Sequence, residues 1–187
     1  MTSSVEIRDA IDPATPQLIR PLAWLLRAVN RAMVAVGMLS LLAASCVLTY
    51  SVFSRYIMKA STDWQDETAV FCLVGATFLS GAFVQARRGH IGIEVVSGLL
   101  PDVWNRARQV AIDLMCTLFC AFFAWKSWTL FHESWVDKQT TSSSWAPPLW
   151  IPYVLMSIGM TLLCLQLLVQ FSASANRLAN KTLKDRA

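Results

Sequence analysis

The stretch TAVFCLVGATFLSGAFVQARRGHIGIEVV, Thr68 to Val96, opens with nineteen uncharged residues and then places two arginines, a histidine and a glutamate within eight. A helix over Thr68–Ala86 is about 28 Å long, close to the hydrocarbon thickness of a bilayer. The charged part that follows is then a reactive site, an ion path, or a turn between membrane spans. Three further runs have the same character: Met33–Phe53 and Leu149–Phe171 carry no charge, and Val110–Phe131 carries only Asp113 and Lys126. A chain inside a membrane must satisfy its backbone hydrogen bonds internally, so the four runs predict four transmembrane helices. The composition agrees. Of 187 residues, 55% are hydrophobic and only 15% are charged, where a soluble domain carries about a quarter.

The basic residues predict an orientation. Arg8, Arg20, Arg27 and Arg31 precede span one, Arg87, Arg88, Arg106 and Arg108 lie between spans two and three, and Arg177, Lys181, Lys184 and Arg186 follow span four. Only Arg55, Lys59, Lys126 and Lys138 belong to the other side. Twelve against four over short loops is a positive-inside pattern, so both termini and the middle loop are expected in the cytoplasm. These charges read as topology signals at an anionic membrane face and call for no nucleic-acid partner. The first span is too long for a cleaved leader and is expected to remain as an anchor. LAASC, Leu42–Cys46, lies mid-span and makes a poor lipidation site.

The expected layout is an all-α membrane protein. Residues 1–17 form a disordered cytoplasmic N-terminus. Residues 18–172 form a four-helix membrane domain, with spans at about 33–53, 68–86, 110–131 and 149–171, and residues 173–187 form a basic cytoplasmic tail. Before span one, Leu18, Leu22, Leu25, Leu26 and Val29 recur at helical spacing opposite Arg20, Arg27 and Arg31, which predicts an amphipathic helix in the membrane interface. A second such segment is expected along Ile93, Val96, Leu99, Leu100 and Trp104, interrupted by Pro101. In span two, Ala76/Ser80 and Thr77/Gly81 are small residues four apart that allow close helix contact. Trp125, Trp128 and Trp135 mark the outer interface at the end of span three.

Motifs of catalysis are absent: the chain has no phosphate loop, CxxC pair, HExxH or GxSxG. All five cysteines fall inside predicted spans and read as membrane packing. A haem anchor needs two facing histidines. His90 and His132 are the only two and lie at opposite membrane faces. A small four-span exporter needs a carboxylate deep in a helix, and none is central here. Asp113 is one turn into its span and Lys126 one to two turns from the end, so each is expected to reach an interface. At the outer boundary, Arg55 and Glu67 read either as an interface anchor plus an acid favoured at a helix N-terminus, or as an ion pair that fixes the hairpin or docks a partner. In RRGHIGIE, Arg87 and Arg88 stop the span, Gly89 breaks the helix, and His90 and Glu94 are four apart. A structural turn explains all of it.

Four segments together carry a family resemblance: RY at Arg55–Tyr56, WQDE at Trp64–Glu67, SGAFVQARRGHIGIEVV at Ser80–Val96 and PPLWIPYVLMSIGM at Pro147–Met160. They resemble the small membrane subunit, of the DctQ type, of tripartite ATP-independent periplasmic (TRAP) transporters, over roughly residues 20 to 172. Glu94 stands where that family often has Asp. Ser157 stands shortly before Gly159, where the family often has proline, with Pro152 earlier in the span. The resemblance implies a non-catalytic scaffold without cofactor or metal in a bacterial inner membrane. Its implied partners are a large multi-span subunit that holds the substrate and sodium sites and moves by an elevator-like motion, a periplasmic substrate-binding protein, and membrane lipids. The cargo it implies is an organic anion such as a carboxylate. It further implies that Arg55, Trp64 and Glu67 organise the outer end, that Gly89, His90 and Glu94 shape the inner turn, and that faces rich in small residues, Gly81 among them, pack on the large subunit. A redox-enzyme anchor and a stand-alone four-helix exporter are the competing classes.

Overall fold

A computed structural model describes residues 20–59, 63–86 and 102–184 of the chain. Four long helices account for nearly all of them. They are α1 Arg20–Phe53, α2 Asp63–Ala86, α3 Asp102–Val136 and α4 Trp150–Lys184. All four are long and apolar enough to cross a membrane. A five-residue π-helical turn, Ser54–Met58, extends α1, and Lys59 ends it in the left-handed conformation with φ 49°. The expected interfacial segment before span one is helical from Arg20 and continues without a break into the span. Helix α4 likewise runs past the expected span end as far as Lys184. The N-terminal seventeen residues and most of the segment from Ile93 to Trp104 lie outside the described residues.

The helices pair in the order α1–α2–α4–α3, with only a light contact between α1 and α4. Ser51 of α1 meets Asp66 of α2, and Gly37 meets Ala76, so α1 and α2 are antiparallel. Asp113 meets Ser174 and Trp128 meets Thr161, so α3 and α4 are antiparallel as well. Gly75 faces Leu155, Phe78 faces Gly159 and Gln85 binds Gln170, so α2 and α4 run parallel. The α1–α2 and α3–α4 connections therefore share one end of the bundle, here the short-loop end.

The sequence of each outer helix explains its seam. On α1 the buried residues are Leu26, Asn30, Gly37, Ala44, Ser51 and Ser54. On α3 they are Asp113, Thr117, Cys120, Ala124, Ser127 and Ser134. Spacings of three, four and seven keep one stripe against a neighbour. The stripes are small and weakly polar because lipid offers no hydrophobic drive for helix association, leaving close packing and interhelical hydrogen bonds to supply it. A small apolar cluster of Cys120, Ala124, Met160 and Leu167, flanked by Phe78, Met156 and Leu163, fills the space between α3 and α4.

Several hydroxyls inside the spans bond back to their own helices. Thr77 donates to Leu73 O, Ser127 to Phe123 O and Ser157 to Tyr153 O, each at 2.8 Å. That removes the penalty of an unpaired group in hydrocarbon. Pro152 falls in the first turn of α4, where a missing N–H costs little. The α3–α4 connection is closed by backbone bonds from Thr141 N to Pro147 O at 3.1 Å and from Leu149 N to Gln139 O at 3.0 Å. Lys138 and Ala146 there adopt positive φ. Trp135 and Trp150 meet edge to face across its base, ring centroids 5.1 Å apart.

Candidate functional site

The polar side chains of the described residues gather at two levels of the bundle. At the short-loop end, Asp66 is held from α1 at both carboxylate oxygens. Arg55 Nη2 donates to Asp66 Oδ2 at 3.1 Å and Ser51 Oγ donates to Asp66 Oδ1 at 3.3 Å. Arg55 sits inside the π turn, where the extra residue per turn changes the direction in which successive side chains leave the axis. Both partners of the ion pair are more than half exposed. Beside them a groove of about 490 Å³ is lined by Leu48, Ser51, Val52, Arg55, Tyr56 and Asp66. The sequence left open whether Arg55 and Glu67 stand separately or form an ion pair; the ion pair seen here joins Arg55 to Asp66 instead.

Glu67, one residue on, is half-buried, and its Oε2 is shielded from solvent without a hydrogen-bond partner. Gln65 Oε1 and Ser134 Oγ, near the same end, are buried and unpartnered too. Trp64 lies in the first turn of α2, partly exposed, and its carbonyl accepts from Thr68 Oγ1 at 2.6 Å. Arg55 and Trp64 are thus on the open side of this end, and Glu67 is turned inward.

Toward the other end, Asp113 is buried, with only 5% of its surface exposed. Its Oδ1 accepts from Gln109 Nε2 at 2.9 Å and its Oδ2 from Ser174 Oγ at 2.6 Å. The expectation that Asp113 reaches the interface is corrected here. It faces α4, and both oxygens are occupied. A charge in this setting is stabilised by donors on two helices, so it acts as a clamp between them. One level away, Gln85 and Gln170 bind reciprocally: Gln85 Nε2 donates to Gln170 Oε1 at 2.8 Å and Gln170 Nε2 to Gln85 O at 2.7 Å. Asn30 Nδ2 donates to Gln166 Oε1 at 3.2 Å, a polar bond between α1 and α4.

The small residues of span two divide. Ala76 is buried, and its carbonyl oxygen lies 3.4 Å from where a Cβ on Gly37 would stand. Gly81 has open space where its side chain would be, so it makes no close contact within this chain. Of the described glycines Gly159 has the least room: a Cβ there would fall 2.5 Å from Phe78 O. Gly89, His90 and Glu94 lie outside the described residues. Lys126 is exposed, with Nζ 5.5 Å from the Trp125 ring centroid. Among the described residues no three His, Cys, Asp or Glu side chains gather as metal ligands would.

Sequence reasoning missed the Asp113–Ser174 clamp and the Gln85–Gln170 pair. A signal was available: Gln85, Gln109, Gln166 and Gln170 are amides at or within the ends of apolar runs, where an unpaired amide is costly.

The match to known proteins follows this helix layout. A family model described as "Tripartite ATP-independent periplasmic transporters, DctQ component" matches residues 44–177. The isethionate TRAP transporter permease protein DctMQ of Oleidesulfovibrio alaskensis is 23% identical over 79% of this chain and 24% of that protein. The C4-dicarboxylate TRAP transporter small permease protein DctQ of Vibrio cholerae is 23% identical over 67% of this chain and 63% of that protein. The chain therefore spans about a quarter of the first and a little under two thirds of the second. No solved structure matches it. With the family model covering spans two to four and the end of span one, the chain belongs to the DctQ component family of TRAP transporters, as a small permease subunit.

Proposed function

We propose that this chain is a non-catalytic scaffold for the large membrane subunit of a TRAP transporter in a bacterial inner membrane, serving ion-coupled uptake of an organic anion delivered by a binding protein. The carrying observation is the DctQ match over residues 44–177 on a bundle whose buried Asp113 carboxylate accepts hydrogen bonds from its own helices. A chain that moved substrate alone would need a polar path or broken helices at mid-membrane. The described spans are continuous helices, and polar groups such as Asp113, Gln85 and Gln170 bond to neighbouring helices of the same chain. The relatives' names point the same way: one is a small permease protein, the other a longer permease of which the matching part is about a quarter. Their named substrates, isethionate and a C4-dicarboxylate, are small organic anions. A carboxylate is the first candidate for this system.

In this reading the short-loop end faces the periplasm, as the distribution of basic residues supports. Arg55, Trp64 and Glu67 then organise the surface that a delivering protein approaches, and Gly89, His90 and Glu94 shape the cytoplasmic turn. Coupling ion and substrate sites belong to the large subunit.

The test is recovery of the tagged chain from its own membranes in mild detergent. A large polytopic permease subunit at near-equal amount is the expected result. A haem-bearing redox subunit, or a self-dimer alone, would overturn the reading. Glu67→Ala is expected to impair uptake through assembly or docking, and normal uptake with normal complex yield would remove Glu67 from that role.

A further inference from the structure

Polar groups deep in this bundle mostly find partners within the chain. Asp113 is held by Gln109 and Ser174, and Gln85 and Gln170 bind each other. Lys126 is different. Among the described residues no carboxylate lies within ion-pair distance of it, and its ammonium contacts only the Trp125 ring, 5.5 Å from the centroid.

The depth of Lys126 gives that difference its weight. Counted back from Phe131, it stands one to two turns from the outer end of its span. Helix α3 runs on to Val136, however, and its outer ring contact is between Trp135 and Trp150. Lys126 lies nine residues below Trp135 and thirteen above Asp113, about 14 Å and 20 Å along the axis. The packing gives the same level. Ala124 shares a buried cluster with Met160, Trp128 bonds Thr161, and Gly159 abuts Phe78. Phe78 stands beside the midpoint of the uncharged run Thr68–Ala86. Lys126 is therefore near the middle of the bilayer, and the expectation that it reaches an interface is corrected. Its stem is five bonds of about 1.5 Å, which falls well short of either headgroup layer.

Lys126 is also turned away from its own bundle. The buried stripe of α3, with Thr117, Cys120, Ala124 and Ser127, faces α4, whereas Phe119, Phe122 and Lys126 are exposed at spacings of three and four on the other side. A lone ammonium at this depth is costly, and charges inside membranes pair with an opposite charge or a polar group rather than with acyl chains. The back of α1 presents no such group, since no charge lies between Arg31 and Arg55.

We propose that the open face of α3 around Lys126 is an interface with a membrane-spanning segment of another protein, and that this segment brings an Asp or Glu carboxylate to Lys126 at mid-bilayer. Charge and depth fix the occupant. Lipid phosphates lie at the boundary, out of reach. A second copy of this chain shares its topology, so its own Lys126 would stand at the same level. The exposed acid next along α3, Glu133, is seven residues higher, about 10 Å. The Trp125 ring, 66% exposed, then lies in the same interface beside the ion pair.

The experiment places the photoreactive residue benzoylphenylalanine in place of Phe122, one turn from Lys126 on the open face. The variant is illuminated in its own membranes, and the peptide joined to it is sequenced by mass spectrometry. The expected result is a membrane-spanning segment of another protein with an Asp or Glu within two turns of the attachment point. An adduct with lipid alone, with a second copy of this chain, or with a segment free of carboxylates would overturn the proposal, and so would no adduct. The ion pair is then read from recovery of that protein with the tagged chain. Lys126→Met is expected to lower recovery on the order of tenfold. Lys126→Arg, and Lys126→Met combined with the partner carboxylate changed to its amide, are expected to keep most of it. Unchanged recovery in Lys126→Met, or no restoration in the double variant, would overturn the pairing. The thermal midpoint of the isolated Lys126→Met chain is expected to match the unaltered one, and a fall would place the partner of Lys126 within this chain instead. Capture of a carboxylate-bearing protein other than a large permease subunit would uphold this proposal and overturn the scaffold reading, which separates the two.

Discussion

Gly159 of α4 and Phe78 of α2 touch backbone to backbone: a side-chain carbon at 159 would stand 2.5 Å from the Phe78 carbonyl oxygen and 2.6 Å from its carbonyl carbon. Neither atom belongs to a flexible side chain that could swing away. A methyl group there forces α2 and α4 apart, which costs about 1–3 kcal/mol in a packed interior. Gly159→Ala is therefore expected to lower the thermal midpoint of the detergent-purified protein. Gly81→Ala is its control, because open space surrounds that position, and its midpoint is expected to stay put. Equal effects of the two substitutions would refute the close approach.

Asp113 is the second position where the contacts dictate an outcome. Asp113→Ala removes a buried acceptor that Gln109 Nε2 and Ser174 Oγ both bond. A buried polar group left unpaired costs about 1–3 kcal/mol. Asp113→Asn keeps one acceptor oxygen and is expected to lose less. Unfolding midpoints in a titration with denaturing detergent rank the three proteins, and a ranking with the asparagine variant weakest would contradict the clamp.

The Arg55–Asp66 pair should behave differently, because both side chains are more than half exposed. Exposed pairs contribute about 0–1 kcal/mol and lose strength in salt. Arg55→Ala and Asp66→Ala are expected to leave the midpoint of the isolated chain nearly unchanged. If the large subunit uses this surface, the yield of the complex falls in both variants while the chain alone stays folded. Size-exclusion profiles with and without the large subunit read the two effects separately.

Gln170 holds α2 through two bonds, one to the Gln85 side chain and one to its carbonyl. Interhelical hydrogen bonds in membrane proteins average about 0.6 kcal/mol each. Gln170→Leu is expected to cost roughly twice that. Gln85→Leu removes one of the two bonds and should cost about half as much as the Gln170 variant. A double-mutant cycle between the two positions should show a non-zero coupling energy, and strict additivity would argue against the pairing.

Much of this architecture was legible in the residues. Four uncharged or nearly uncharged runs of bilayer length are a one-dimensional signal, and they survive as α1 to α4. The sequence offered Glu67 as a possible partner of Arg55, and the bonded acid is Asp66, one residue earlier, because the phase of the helix end decides which acid meets α1. Asp113 shows the same limit from another side. Its depth along the span could be counted from the run's ends, but its direction around the axis depends on where α4 lies. The approach of Gly159 to Phe78 joins residues 81 positions apart, and no local pattern marks Phe78 as its neighbour.

The pairing order α1–α2–α4–α3 also has a consequence for how the protein is made. Each half of the chain is a hairpin whose two helices meet along their length, and the halves meet chiefly where α2 lies beside α4. The first hairpin can close as soon as α2 has entered the membrane, before α4 leaves the ribosome. Its partner must then find it sideways within the bilayer. The glycine at 159 thus stands at the last joint to be made, and that joint controls whether two finished halves become one subunit.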